Sequence, residues 1–336
     1  MPQTQDKHIN DLNVAVLAGG IGPEREVSLH SGQTVFSALR QAGMTALLSD
    51  ITPQDTRILD DASIDVFFLA LHGTFGEDGG VQSLLEQRGF AFTGAGARAS
   101  GRAFDKVISK AAFARVGACV PRHIVVAADD TEASLRRKLD GFAQRVVVKP
   151  ISQGSSVGIS IPDDSSDAAA IALACFETYG DCMIEQFIPG REITVGIVNG
   201  QALPIIEIRS TAAFYDYNAK YIADSTEFLF DTIDDAQLVR YIQQVAMDCF
   251  EALGCRHLSR VDLMLTAENV PYVLEINTLP GFTSHSLLPL AARKAGIPTP
   301  ELCRRIVQAA WKDHHAAATS GRTTDRMQNL NKETNL

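Results

Sequence analysis

Short, unbroken apolar runs alternate with helical stretches through the first hundred residues, and that alternation leaves few folds open. Residues 14–18 are apolar throughout and end in Gly19-Gly20, the pattern of a parallel strand buried on both faces that leaves its sheet through a tight turn. Residues 26–42 then carry Val27, Leu29, Val35, Ala38 and Leu39 at broadly helical spacing and stop at Gly43. Residues 46–51 and 66–71 read as two more strands, and 79–87 as a short helix. A βαβ rhythm of this kind predicts a small, doubly wound parallel sheet.

The pattern changes near residue 100. Residues 105–116 read as a helix closed by Gly117. Residues 122–126, 146–149, 159–161 and 183–188 read as strands, with helices from about 131 and over 166–179. From residue 191, two runs (193–198 and 202–208) flank Asn199-Gly200, a strong hairpin signal. Residues 236–253 form an amphipathic helix, 260–266 and 272–277 two strands, and 286–294 and 301–311 helices. The expectation is an N-terminal α/β unit (1–100), a central unit (101–190), a C-terminal unit (191–315) and a polar, disordered tail (316–336). The length of 336 residues agrees with two or three domains.

Composition removes several functions. With 30 basic against 40 acidic side chains the net charge is −10, which argues against nucleic acid as the main partner. No apolar run approaches the ~18 residues of a membrane span, and residues 1–13 lack the apolar core of a secretory signal. The six cysteines form no C-x-x-C pair and sit among apolar neighbours, so they read as reduced, buried thiols of a cytoplasmic protein.

Four segments carry chemistry. The first, Lys149-Pro150 followed by Gly154-Ser155-Ser156-Val157-Gly158, ends a strand with a lysine and continues in a Gly/Ser loop. Backbone N–H groups of such a loop can approach phosphate oxygens while the ammonium adds a point charge; an ordinary turn is the competing reading. The second is Arg260-Val261-Asp262 with Glu275-Ile276-Asn277. Alternate residues of a strand share a face, so pairing of the two strands would converge two carboxylates and an amide oxygen beside a guanidinium. Such oxygen donors suit Mg²⁺; the competing reading is a cross-strand salt bridge. The third, residues 279–286 with Gly281 and Ser286, is a turn entering a helix, suited to an anion or, alternatively, to a routine N-cap. The fourth, Gly19-Gly20-Ile21-Gly22-Pro23-Glu24-Arg25, superficially matches a dinucleotide fingerprint, with Asp50 as the ribose acid, but Arg25 stands where the third glycine belongs. Glu24 suits a substrate ammonium or, alternatively, the helix dipole. His72 ends a buried strand, where α/β sheets bind ligands. The aromatic and charged stretch within 210–226 reads as a lid loop.

Taken in order, these motifs resemble the D-alanine–D-alanine ligase family of the ATP-grasp superfamily. The resemblance rests on Glu24-Arg-Glu-Val-Ser28, Ala70-Leu-His72-Gly73, Gly76-Glu-Asp-Gly79, Lys149-Pro with 154–158, Tyr215-Asp-Tyr-Asn-Ala-Lys220-Tyr221, Arg260-Val-Asp262 and the run from Glu275 to Ser286. It implies an ATP-grasp fold of three domains, α/β at the N-terminus and α+β beyond, acting as an ATP-dependent, ADP-forming ligase. The product would be D-alanyl-D-alanine for peptidoglycan, made through a D-alanyl phosphate. Lys106 and Lys149 would contact ATP phosphates. Glu185, Phe187 and Glu192 would form the nucleotide pocket. Asp262, Glu275 and Asn277 would hold two Mg²⁺ ions, with Mn²⁺ as a substitute. Glu24 and His72 would meet the first D-alanine, Arg260 and the Gly281 N–H the oxyanion, and Ser286 the second carboxylate. Ser155, Lys220 and Tyr221 would close the lid over the second substrate and the phosphate, Lys220 as a further contact to ATP. A homodimer is implied, with no nucleic-acid or membrane partner.

Two departures stand out: Gly22 replaces the family's frequent serine, and Glu227 is followed by Phe-Leu-Phe-Asp rather than Pro-Ala. The second substrate is the feature they bear on, so a ligase for another amino-acid or hydroxy-acid pair is the alternative. The sequence also leads one to expect a positively charged pocket within an acidic chain.

Overall fold

The computed structural model describes residues 7–155, 157–210 and 226–333, and three sheets organise them. The first holds β1 (Asn13–Gly19), β2 (Thr45–Ile51), β3 (Val66–Leu69) and β4 (Ala91–Phe92), all parallel, in the order β2-β1-β3-β4. Alternate residues feed two cores. Val14, Val16, Val66 and Phe68 pack with Val35 and Leu39 of helix α1 (Arg25–Gln41). Ala15, Leu17, Phe67 and Leu69 pack with Val81 and Leu85 of α2 (Gly80–Gln87). With helices on both faces, β1 and β3 meet water on neither side, which is why these two strands are apolar without alternation. The doubly wound sheet is as the rhythm predicted. After it come α3 (Ala97–Phe104) and α4 (Lys106–Arg115).

The second sheet is antiparallel, with β5 (His123–Val125), β6 (Val146–Lys149) and β7 (Met183–Gln186) in the order β5-β7-β6. Val146, Val148 and Ile184 face Leu135 of α5 (Glu132–Leu139) and Ala168 and Ala172 of α6 (Ala168–Tyr179). The strand period therefore sends Lys149 and Glu185 to the opposite face. Residues 159–161, expected as a strand, make only the single bridge Val148–Ser160. Gly158, at φ 72°, turns the chain just before it, and Pro162, which has no N–H, stops it just after.

The third sheet comprises β8 (Arg191–Val198), β9 (Gln201–Ala202), β10 (Ile206–Ser210), β11 (Thr226–Leu229), β12 (Leu258–Leu265) and β13 (Pro271–Asn277). Its order is β11-β10-β8-β12-β13, with β9 pairing β8. Asn199 and Gly200 both take positive φ, 49° and 74°, and close the expected hairpin. The run 202–208 splits into β9 and β10 because Pro204 cannot donate to a ladder. Helix α7 (Ala236–Leu253) covers one face with Ile242 and Phe250, and α4 adds Ala112 and Phe113. Helices α8 (Leu287–Lys294) and α9 (Thr299–Glu333) follow. Leu302, Ile306 and Ala310 of α9 join Val35 and Leu39 of α1 in one core, so the two ends of the chain pack together.

The tail differs from expectation: α9 runs through residue 333. Extending an existing helix adds a hydrogen bond for each residue fixed, and Ala316–Ala318 are strong helix formers, so a polar segment can continue it without a core of its own. Among the described residues no helix is long and apolar enough to cross a membrane. All six cysteines are free thiols, but Cys119 is exposed and Cys255 half-buried, against the expectation that all are buried. Cys119 lies just past the end of α4, in a linker that makes only an isolated bridge to Tyr272.

Candidate functional site

Strands β12 and β13 pair with Arg260 opposite Asn277 and Asp262 opposite Glu275. Val261 and Ile276, between them, are buried in the core. The four polar side chains thus share one face, as the alternation predicted. Arg260 grips Asp262 with both arms: Nε donates to Oδ1 at 2.8 Å and Nη2 to Oδ2 at 2.7 Å. Thr194 of β8, across the sheet, donates to Asp262 Oδ1 at 2.6 Å. The Asn277 side-chain oxygen accepts from the Leu279 N–H at 3.0 Å, which sets the turn leaving β13.

Helix α4 supplies the next wall. Asp105 caps it by accepting from the N–H groups of Val107 and Ile108, and this fixes Lys106 at the first helical position. Lys106 Nζ donates to the Gln153 carbonyl at 2.6 Å and lies 3.4 Å from Glu275 Oε2. One helical turn on, Lys110 is fully buried, with Nζ 2.7 Å from Glu185 Oε2. Lys149 Nζ donates to the other oxygen, Oε1, at 2.8 Å. Burial pushes the Glu185 carboxyl up, but Lys110 and then Lys149 outweigh it and hold it below its ordinary range. Burial likewise drives the Lys110 ammonium down to about 8, against the pull of Glu185.

The first sheet, through α1 and the turn after β3, closes the opposite side. Glu24 occupies the N-cap position of α1 but makes no cap hydrogen bond; it is buried, and its Oε1 accepts from the Ser155 hydroxyl. The helix-dipole reading of Glu24 therefore does not account for where its side chain goes. Gly73, at φ 64°, lies so close that any β-carbon there would overlap Glu24 Oε2. The Gly73 N–H donates to Glu77 Oε2 at 2.6 Å. Burial, followed by the charge of Glu24, pushes the Glu77 carboxyl up to about 8, so it is neutral at pH 7. His72 is buried, with Nε2 3.2 Å from Ser31 Oγ, which also accepts from the Phe282 N–H at 3.2 Å. Burial and then Arg260 bring His72 down to about 4, so this ring is neutral. Ser286 starts α8 without capping it; its Oγ turns back to accept from the Thr283 N–H at 2.9 Å.

One cavity is lined by Glu24, His72, Glu77, Lys106, Ser155, Glu192, Arg260, Asp262, Glu275, Asn277, Gly281 and Ser286. Lys149 and Glu185 are buried outside that lining, on the polar face of the second sheet. Phe187 is elsewhere: the Arg145 guanidinium stacks 4.4 Å from its ring centroid, and both line a separate pocket with Arg122 and Phe142. Lys220 and Tyr221, with residues 211–225 of the expected lid, lie outside the described residues. In the first turn, Arg25 binds Asp50, so the acid that a dinucleotide ribose would need already carries a guanidinium.

The expected positive pocket is corrected. Among the described residues, four carboxylates (Glu24, Glu192, Asp262 and Glu275) and the neutral Glu77 line the cavity against two basic side chains, Lys106 and Arg260. A polyphosphate entering such a cavity needs additional cations. Asp262, Glu275 and Asn277 offer oxygen donors alone, a set that fits a hard divalent ion shared with phosphate. Sequence reasoning missed Glu77, Lys110, Thr194 and Ser31. Only Lys110 had a local signal: four residues after Lys106, it must share that lysine's helix face.

Comparison with known proteins points to one family over most of the chain. Residues 54–95 match the family model described as D-ala D-ala ligase N-terminus, and residues 113–308 the one described as D-ala D-ala ligase C-terminus. A D-alanine–D-alanine ligase of Geotalea uraniireducens is 41% identical over 297 residues, covering 88% of this chain and 95% of that protein. One from Magnetococcus marinus is 40% identical over 301 residues, covering 88% and 97%. The solved D-alanine–D-alanine ligase of Bacillus anthracis complexed with ATP superposes with a TM-score of 0.79 at 35% identity, covering 92% of this chain and 99% of that one. The VanG D-Ala:D-Ser ligase of Enterococcus faecalis gives 0.78 at 25% identity, covering 89% and 99%.

Proposed function

This chain belongs to the D-alanine–D-alanine ligase family, and from that premise we propose that it joins two D-alanine molecules at the expense of ATP, yielding ADP and phosphate. The observation that carries the reading is the β12–β13 register, which sets Arg260, Asp262, Glu275 and Asn277 on one wall of a cavity whose other wall holds Glu24. The product, D-alanyl-D-alanine, is a peptidoglycan precursor.

A carboxylate is a poor electrophile, so the γ-phosphoryl group is first transferred to the first D-alanine, giving an acyl phosphate. Lys106 and Lys149 would bear on the ATP phosphates, with Glu185 and Glu192 on the nucleoside side. Asp262, Glu275 and Asn277 would hold two Mg²⁺ ions, which supply neutralisation of the charge developing on the transferred group. Glu24 would receive the ammonium of the first D-alanine, with Ser155 holding its carboxylate in place. Neutral His72 and neutral Glu77 add no further charge beside it. Attack by the neutral amine of the second D-alanine forms the C–N bond and builds an oxyanion that the Arg260 guanidinium and the Gly281 N–H would stabilise, while Ser286 binds the incoming carboxylate; collapse breaks the acyl C–O bond, and phosphate leaves with the proton the nitrogen sheds. Lys220 and Tyr221, from the segment read as a lid, would exclude water from the acyl phosphate. The division at about residues 100 and 190 gives the first D-alanine one unit and ATP the junction of the other two. Six free thiols suit a reducing cytoplasm, and a homodimer is the assembly expected.

Phosphate release from MgATP with D-alanine, coupled to product identification, tests this. Dipeptide and ADP in equal amounts are expected. Absence of both with D-alanine, alongside turnover with D-serine or D-lactate as partner, would move the assignment to another substrate pair, the alternative raised by Gly22 and by the sequence after Glu227.

A further inference from the structure

Lys110 is the most deeply buried cation among the described residues that the mechanism above leaves without a task. We propose that it is a positioning residue of the nucleotide site: by holding one oxygen of Glu185, it keeps Lys149 available to the ATP phosphates. The inference rests on the assignment of Lys149 to those phosphates.

Burying an ammonium completely costs several kcal/mol unless a partner offsets it, and an aliphatic side chain would fill the same space without that cost. Packing alone therefore does not explain a lysine here. The i, i+4 spacing puts Lys106 and Lys110 on one face of α4, and each reaches a different carboxylate: Lys106 lies 3.4 Å from Glu275, and Lys110 lies 2.7 Å from Glu185. Glu185 is shared without overlap, Oε2 with Lys110 and Oε1 with Lys149 at 2.8 Å. His123, paired opposite Glu185 in the sheet, is pushed down by burial and by Lys110, which disfavours a third cation from β5.

The charge count gives the arrangement its sense. Two ammonium groups on one carboxylate leave a net positive charge at the end of β6. Without Lys110, both Glu185 oxygens would turn to Lys149, the pair would be neutral, and Lys149 would have less attraction left for phosphate. Lys110 thus acts through Glu185 and touches no substrate itself.

The test is steady-state kinetics of the full chain with MgATP and D-alanine for Lys110→Met, Glu185→Gln, the double variant and Lys149→Met. Lys110→Met should lower kcat/KM for ATP about tenfold, mostly through KM, while KM for D-alanine changes less than about twofold. In the Glu185→Gln background the same substitution should change kcat/KM for ATP by less than about twofold, because the group it acts through is gone. An equal effect in both backgrounds, or equal losses for ATP and D-alanine, would overturn the positioning role. Lys149→Met separates the two readings. If it leaves ATP kinetics intact, the assignment of Lys149 fails; if it impairs them while Lys110→Met does not, only the present inference fails. Should Lys110→Met not fold, Lys110→Gln keeps a donor toward Glu185 and serves in the same comparison. Failure of both to fold would make Lys110 a folding residue and overturn the inference too.

Discussion

Replacing Glu77 by glutamine should stabilise this protein increasingly as the pH rises. The Glu77 carboxyl is buried beside Glu24, and its affinity for a proton is raised from an ordinary value of 4.5 to about 8. Between those values the unfolded chain has released this proton and the folded chain retains it. Folding then takes up a proton, so stability falls with rising pH, by at most about 1.4 kcal/mol per unit. The contribution is full below pH 4.5 and is lost as pH climbs through about 8, a loss of up to about 5 kcal/mol over the window. Glutamine keeps an oxygen for the Gly73 N–H, which donates to Glu77 at 2.6 Å, and cannot ionise. At pH 5 the variant should lie within about 1 kcal/mol of the parent, since a neutral hydrogen-bonding group replaces another. By pH 8 it should be the more stable protein by several kcal/mol. Urea midpoints at half-unit steps from pH 5 to 8.5 measure the difference directly. Parallel profiles for parent and variant would show that Glu77 is ionised in the fold, and the reasoning about its neutrality would be wrong.

Glu275→Gln and Arg260→Ala should each cut turnover about 100-fold or more with the fold retained by circular dichroism, and near-normal turnover in either would remove it from the mechanism. Gly73→Ala should raise KM for D-alanine about tenfold while leaving KM for ATP alone, because a β-carbon at φ 64° is strained and displaces Glu24. Tyr221→Phe should relax the preference for D-alanine over D-lactate as the second substrate, read as the ratio of dipeptide to depsipeptide. On the acid side, His257, which burial and Arg256 bring down to about 4, should cost stability as pH falls from 6.5. His257→Gln should flatten that limb in the same urea series, and an unchanged slope would count against a neutral His257.

What could be read in the sequence was set by local periodicity. The polar pairs 260/262 and 275/277 are legible because strand alternation fixes which residues share a face before any partner is known, and the observed register bears this out. The hairpin at Asn199-Gly200 is legible for a similar reason: the turn needs positive φ at both positions, and few residues accept it. Contacts between distant segments left no such trace. Ser31 meets His72 and Phe282 across 41 and 251 residues, and Thr194 meets Asp262 across 68. Glu77 reads as one acid in a Gly-Glu-Asp-Gly turn, and only burial beside Glu24 makes it unusual.

The sign of the cavity charge shows why a motif list could mislead. Among the described residues, each basic side chain assigned to phosphate or oxyanion chemistry has a carboxylate beside it: Arg260 has Asp262 at 2.7 Å, Lys106 has Glu275 at 3.4 Å, and Lys149 has Glu185, shared with Lys110, at 2.8 Å. Counting the cations suggests a positive pocket; counting the pairs gives an acid-rich one. The pairing follows from burial, because Lys106, Lys149 and Asp262 are each at most 6% exposed and an isolated charge at that depth would be far costlier. It also gives the acids two tasks, since Asp262 and Glu275 neutralise a basic neighbour and still present oxygens to the cavity. A ligase that must draw a polyanion and a carboxylate together gains from this arrangement, because the attraction depends on a divalent ion arriving with the nucleotide. Binding of ATP without a divalent ion should therefore be weak, and calorimetric titration with EDTA present would reveal it: affinity equal to that of MgATP would mean that the acid-rich lining does not govern nucleotide binding.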